Sequence, residues 1–250
     1  MISPVTERRL VQAVARFGSD PFGVQALSGV LAYGTDRAFA GAWTVNRTAL
    51  LGRMDGIFAL SGTLDSAAGA ELASFLPLLG CDALLAPAQT RIPGWEPKRR
   101  GVVLTQTSNF AECGPPEQAD ARALQTVLTQ CASPWIRIEN PDAFYVDLSH
   151  RLRHRQIRSR LRYVSGEPAA CALTIGETPA AALLGVACRP EYRGCGLASR
   201  MLRELCADLR ASGKSVFLLT GAELVAFYRK NGFECCGEWG EYGATARSEE

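Results

Sequence analysis

The sequence predicts an α/β fold, a mixed and mostly antiparallel sheet with helices packed against it, and three observations carry that expectation. The same order of elements is met twice, over 36–86 and 157–220: a run of short β-rich segments, a stretch with helical apolar spacing, and one further β run. Glycine-containing turn pairs stand at the element boundaries, among them Asp55-Gly56, Ser165-Gly166, Ser212-Gly213 and Asn231-Gly232. Apolar residues make up 47% and charged residues 21% of 250 residues, a mix that buries a core rather than staying disordered.

Taken in order, 5–17 and 20–32 read as helices, the second opened by Asp20-Pro21 as N-cap and first-turn proline. Three short strands follow at 38–45, 48–53 and 57–61, parted by Asn46-Arg47 and by the hairpin pair Asp55-Gly56. Leu64, Ala68, Leu72, Phe75, Leu76 and Leu79 keep close to helical spacing until Gly80, and 83–86 reads as a strand. Pro87 to Arg100 holds three prolines, a glycine and four basic residues, a linker composition that sets a domain boundary there. Beyond it we expect a strand at 102–107, helices at 117–131 and 141–155, and strands at 157–164, 169–175 and 180–188. A helix then carries Leu197, Met201, Leu205 and Leu209 every four residues, followed by a strand at 216–220, a short helix at 223–230 and a strand at 233–239. This divides the chain into an accessory α/β unit at 1–97, a second unit at 98–243 and a frayed tail at 244–250.

A net charge of +2 offers no general attraction to nucleic acid or anionic membrane. The N-terminal segment lacks the unbroken apolar stretch of a secretory signal, and the longest uncharged apolar run, 178–188, is too short to span a bilayer, so the expected location is cytoplasmic with no membrane partner. The nine cysteines show no CxxC spacing and read as free thiols, Cys235 and Cys236 as packing residues on a strand. His150 and His154 stand four apart, yet no glutamate follows His150 and no third ligand is evident, so they read as exposed helix residues and no metal is expected.

The most informative segment joins a strand, Ala181 to Cys188, through Arg189-Pro190-Glu191-Tyr192 to Arg193-Gly194-Cys195-Gly196-Leu197-Ala198 at a helix start. A helix N-terminus leaves its first N–H groups unpaired and carries about half a positive charge, so phosphate oxygens bind well there. Glycines at 194 and 196 let a backbone approach a ligand closely, Arg193 adds charge, and Cys195 reads as a tolerated small residue. By itself a glycine pair in a strand-to-helix turn is ordinary turn chemistry. Val186 to Leu202 nevertheless resembles the signature motif of the GNAT acetyltransferase superfamily, Arg/Gln-x-x-Gly-x-Gly/Ala, matching at Arg193, Gly196 and Ala198. Downstream, Phe227-Tyr228-Arg229-Lys230-Asn231-Gly232-Phe233 is similar to that family's Phe/Leu-Tyr-x-Lys-x-Gly-Phe segment. The resemblance covers about 100–240.

It implies a GNAT fold in the C-terminal half and acetyl transfer from acetyl-coenzyme A to a primary amine of a small molecule or peptide by direct attack. It also implies that the amides of Arg193, Gly194, Cys195, Gly196, Leu197 and Ala198 hold the pyrophosphate, that Val186, Ala187 and Cys188 pair with the pantetheine arm, and that Tyr228 protonates the departing sulfur. Many members carry a glutamate where this chain reads Leu183-Leu184-Gly185, and Gly221 stands where an asparagine is frequent. Glu177, in the preceding turn, is the remaining candidate base, acting through water. A tyrosine beside Phe227 on a short helix is otherwise core packing, and an exposed turn glutamate otherwise only solvated. Two rivals are a non-catalytic acyl-coenzyme A sensor, suggested by the missing strand glutamate, and an RNA-binding module using the six arginines of His150 to Arg162. For that run, alternation of Ile157, Leu161 and Tyr163 against Arg158, Arg160 and Arg162 reads as an outer strand with a solvated charged face, so no nucleic-acid partner is expected. The first half, with Ser61-Gly62-Thr63-Leu64 in place of the glycine turn, reads as a degenerate copy of the same fold, with a plain accessory cap as the alternative.

Overall fold

The computed structural model describes residues 1–110, 120–131, 133, 136, 138–176 and 178–245. In the first half a short strand β1 (Ile2–Pro4) leads into α1 (Glu7–Phe17) and α2 (Pro21–Tyr33), then β2 (Ala40–Val45), β3 (Ala49–Met54) and β4 (Ile57–Gly62), α3 (Ser66–Phe75) and β5 (Leu84–Pro87). Asn46, Arg47 and Asp55 all take positive φ, which closes β2–β3 and β3–β4 as tight antiparallel hairpins. Asp20 caps α2 by accepting from the N–H of Phe22 and Gly23, and also accepts from the Ser61 hydroxyl at 2.7 Å, tying the helix to β4. Eight residues of α2 are buried, as befits a helix pressed into the sheet. A Cβ at Gly52 would stand 1.9 Å from the Ala26 carbonyl oxygen, so only glycine permits that approach.

The second half comprises β6 (Trp95–Gln106), α4 (Ala121–Gln130), α5 (Pro141–Arg153), β7 (Ile157–Val164), β8 (Glu167–Ile175), β9 (Ala180–Cys188), α6 (Leu197–Ala211), β10 (Ser215–Thr220), α7 (Val225–Lys230) and β11 (Phe233–Ala244). All eleven strands form one sheet in the order β1-β2-β3-β4-β5-β11-β6-β10-β9-β8-β7. Each half has an antiparallel meander (β2–β4, β7–β9), a helix (α3, α6) and a strand parallel to the last of the meander (β5, β10). The halves are joined by exchange: β11, the last strand in sequence, pairs with β5, while β6 pairs with β10, and β6 and β11 pair with each other. The repeated order agrees with the reading of the first half as a copy of the second.

Several expectations change. The segment read as a linker becomes strand from Trp95 onward, because its charged residues alternate along the middle of the sheet; the boundary drawn between 97 and 98 falls inside β6. β1 was not anticipated: three residues carry no period, and pairing with β2 makes them a strand. Pro77 turns the end of the 64–79 helix into a 3-10 segment at Leu76–Leu79. β11 runs to Ala244, five residues beyond the expected 239, held by β5 and β6; 246–250 lie outside the described residues, as do 117–119 at the start of the expected 117–131 helix. Cys235 and Cys236 are exposed, because a bulge leaves Cys236 unpaired between Cys235 and Gly237. His150 is half-buried, its ring stacked on Tyr33 at 4.3 Å with Nε2 2.8 Å from the Ala32 carbonyl oxygen.

The arginine face of β7 is not solvated. β7 is the outer strand, but Arg158 and Arg160 pair with Asp208 at 3.5 and 3.4 Å and Arg162 with Glu204, both acids on α6. Arg160 is only 4% exposed. Arg151 is likewise buried, held by Asp147 at 2.8 Å and by the Ser28 hydroxyl. A guanidinium buried this way is retained because a carboxylate and carbonyl oxygens replace its water. Four of the six arginines of the run are thus engaged inside the chain.

Candidate functional site

The site begins with a parting of strands. β9 and β10 run parallel from Ala180 opposite Ser215 to Leu183 opposite Leu218, and their pairing stops there. On its other edge β9 stays paired with β8 as far as Cys188 opposite Ala170. Between Leu173–Gly185 and Thr174–Leu183 the register shifts by one residue, leaving Leu184 as a bulge. A bulge bends and twists the strand that carries it, and this one falls where β9 leaves β10. Its side chain is 43% exposed. The Arg189 N–H donates to Ala169 on β8, so by alternation Ala187 also faces β8 while Val186 and Cys188 turn their N–H and C=O groups toward the gap.

A cleft of about 1030 Å³ fills the gap, and Val186, Ala187, Cys188, Arg193, Gly194, Gly196, Leu197, Ala198 and Tyr228 all line it. The turn at its mouth is open to solvent from Arg193 to Gly196. Gly194 and Gly196 take φ of +81° and +77°, and Gly196 is the N-cap of α6 with no side-chain cap. α6 is 15 residues long, and its first backbone bond is Arg200 N–H to the Gly196 carbonyl. No described residue accepts from the N–H groups of residues 194–199. Four to six donors at the positive end of a helix, unpaired and facing a cleft, fit a diphosphate. Cys195 is exposed at the same turn. Arg193 lies folded over the mouth, its Nε donating to the Cys188 carbonyl at 3.1 Å. Burial pushes the Cys131 thiol up, opposed by the Arg193 guanidinium beside it.

Tyr228 stands on α7 across the cleft. Its ring meets Phe227 and Phe233 edge-on at 5.1 and 5.8 Å and is 9% exposed, so the packing reading holds for the ring. The hydroxyl has no hydrogen-bond partner among the described residues, and burial pushes its pKa up to about 12. Glu177 lies outside the described residues. The walls also include residues that local patterns did not single out: Cys131, Ser133 and Ile136 between α4 and α5, Leu218 to Thr220 at the end of β10, and Glu223 and Leu224. The only sequence signal for the second and third groups is their place between the two motifs; the α4–α5 wall has none.

Residues 168–236 match the family model described as an acetyltransferase (GNAT) domain. That segment is a GNAT acetyltransferase domain by this match. The GNAT match begins in β8 and ends in β11, so it contains the bulge, the turn and Tyr228. Solved structures extend the likeness of fold to the whole chain. A tandem GNAT protein from the clavulanic acid biosynthesis pathway superposes with a TM-score of 0.58 at 12% identity, covering 100% of this chain and 99% of that one. A GNAT-family protein from Novosphingobium aromaticivorans gives 0.55 at 22% identity over 78% and 89%, and one from Colwellia psychrerythraea 0.56 at 13% over 98% and 100%. No curated protein sequence matches the chain. Within the GNAT frame the two helix starts differ: Asp65 caps α3 by accepting from the Ala68 N–H at 2.7 Å, so a carboxylate of the chain occupies the position that the α6 turn leaves open. Among the described residues no helix is long and apolar enough to cross a membrane, and no group of three or more metal-ligating side chains is found.

Proposed function

We propose that this chain transfers an acetyl group from acetyl-coenzyme A to an amine, with the cofactor in the cleft between β9 and β10. The observation that carries the reading is the set of unpaired N–H groups at 194–199 facing an open cleft, which is what a diphosphate requires. The fit extends along the slot, where the free edges of Val186 and Cys188 offer a peptide-like arm the bonds that β10 withdraws. Arg193 would release the Cys188 carbonyl and turn toward phosphate oxygens. The thioester supplies an activated acyl carbon whose leaving group is a thiolate.

The chain's own part in the reaction is positioning, polarisation and one proton. A main-chain N–H at the bulge of β9 can donate to the developing oxyanion in a water-poor cleft. Tyr228, kept protonated by burial, donates its phenolic hydrogen toward the departing sulfur and returns to the neutral form from solvent. Removing the amine proton falls to Glu177 through water, or to solvent itself. The acceptor is a primary amine of a small molecule or peptide, and the location is the cytoplasm. Calorimetric titration with coenzyme A, together with mass spectrometry of an amine panel after incubation with acetyl-coenzyme A, tests this. Binding plus an acetylated product is expected; binding without product in any amine would favour a sensor, and absence of binding would overturn the reading.

A further inference from the structure

A second cavity, of about 480 Å³, lies where the segment after β5 meets β6 and β11. It lies beyond the end of β5, beside Ser66 at the start of α3, and is walled by Trp95, Tyr242, Ile92 and two prolines. The volume is within the range of small-molecule sites. Asp65 accepts from the Ala68 N–H, so a carboxylate of the chain already stands where an anion would meet the start of α3.

Side chains take over that part. Arg91 and Arg100 line the cavity together with Tyr242; Arg91 also donates to the Thr90 carbonyl at 3.2 Å, and neither arginine forms an ion pair with a described residue. Their neighbour Arg99 points to the other face of β6 and pairs with Glu241 at 3.6 Å. Thr90 also lines the cavity; it is 8% exposed, and no described residue hydrogen-bonds its hydroxyl, which leaves that group open to water or a ligand. A register shift in the β6–β11 pairing between Glu241 and Tyr242 adds Lys98 as an extra residue, a device that re-aims neighbouring side chains. The Tyr242 ring crosses Gly240, where a Cβ would meet it at 2.8 Å, and its hydroxyl is spent on the Ala88 carbonyl at 2.8 Å. Tyr242 therefore offers a flat apolar wall rather than a polar group.

We infer that this cavity is a second small-molecule site, for a compact ligand with one oxyanion, phosphoryl or carboxylate, held by Arg91, Arg100 and Thr90, and an apolar body against Trp95 and Tyr242. The ligand is not the acetyl donor, and the site stands independently of the reaction proposed above.

Calorimetry of the full chain with phenyl phosphate, benzoate and inorganic phosphate at low ionic strength tests it. Phenyl phosphate or benzoate should bind one to one, the tighter of the two naming the oxyanion, and inorganic phosphate more weakly than phenyl phosphate. Binding should fall roughly tenfold or more in the double variant Arg91→Gln, Arg100→Gln and survive in Arg193→Gln, whose change lies at the other cleft. Because both arginines are exposed, the double variant should melt as the parent does. Unchanged affinity in the double variant, loss in Arg193→Gln alone, or no binding of any probe would overturn the proposal; equal affinity for phosphate and phenyl phosphate would remove the aromatic walls from it.

Discussion

Replacing Tyr228 by phenylalanine removes one oxygen atom and leaves the rest of the cleft in place. The ring keeps its edge contacts with Phe227 and Phe233, and the lost hydroxyl had no partner among the described residues, so stability near neutral pH should change by less than about 0.5 kcal/mol. Coenzyme A affinity should also hold, since the phosphates are bound elsewhere. Turnover should fall tenfold or more, at least about 1.4 kcal/mol in the barrier, the lower end of what a positioned proton donor supplies. The alkaline behaviour gives a second readout. With the folded pKa raised to about 12 against about 10 in the unfolded chain, both states hold the proton below pH 10. Above that the unfolded chain ionises first, so the folded state loses about 2–3 kcal/mol of stability as pH rises through 12. Tyr228→Phe lacks that loss, and its urea midpoint should decline less steeply between pH 9 and 11 by estimate. Free coenzyme A followed by mass spectrometry measures turnover without interference from exposed thiols. A variant that turns over within about twofold of the parent while binding equally well would take Tyr228 out of the mechanism.

Two further outcomes follow from geometry. Gly196→Ala puts a Cβ on a residue at φ +77°, which costs about 1–2 kcal/mol or moves the α6 N-terminus, so coenzyme A affinity measured by calorimetry should drop about tenfold with a small loss in melting temperature. Glu204→Gln removes the charge of a nearly buried carboxylate shared by Arg162 and the largely exposed Arg200, and denaturant unfolding should show a loss of roughly 1–2 kcal/mol with little change in coenzyme A affinity.

Much of the fold was legible because it is local. Asp20-Pro21, Asp55-Gly56 and Asn231-Gly232 start and stop elements through their own backbone and side-chain preferences, and the spacing of Leu197, Met201, Leu205 and Leu209 marks α6 without reference to any partner. The turn at 193–198 was visible for the same reason, since strand, glycines and helix start are contiguous. β1 and the first residues of β6 were not, because three residues or a proline-rich charged stretch become strand only when a neighbour supplies the ladder.

The amino-acid order by itself determined where the chain turns at its glycine pairs, which apolar residues of α6 line up on one face, and that a run of amides sits at the head of a helix. Tertiary structure alone decided that β9 parts from β10 at Leu183, that β6 and β11 change places between the halves, and that Arg158, Arg160 and Arg162 meet acids on α6 instead of water. The division has a physical cause: backbone preference and side-chain period act over a few residues, whereas the end of a strand pairing and the partner of a charge are settled by groups about 35 to 160 positions apart.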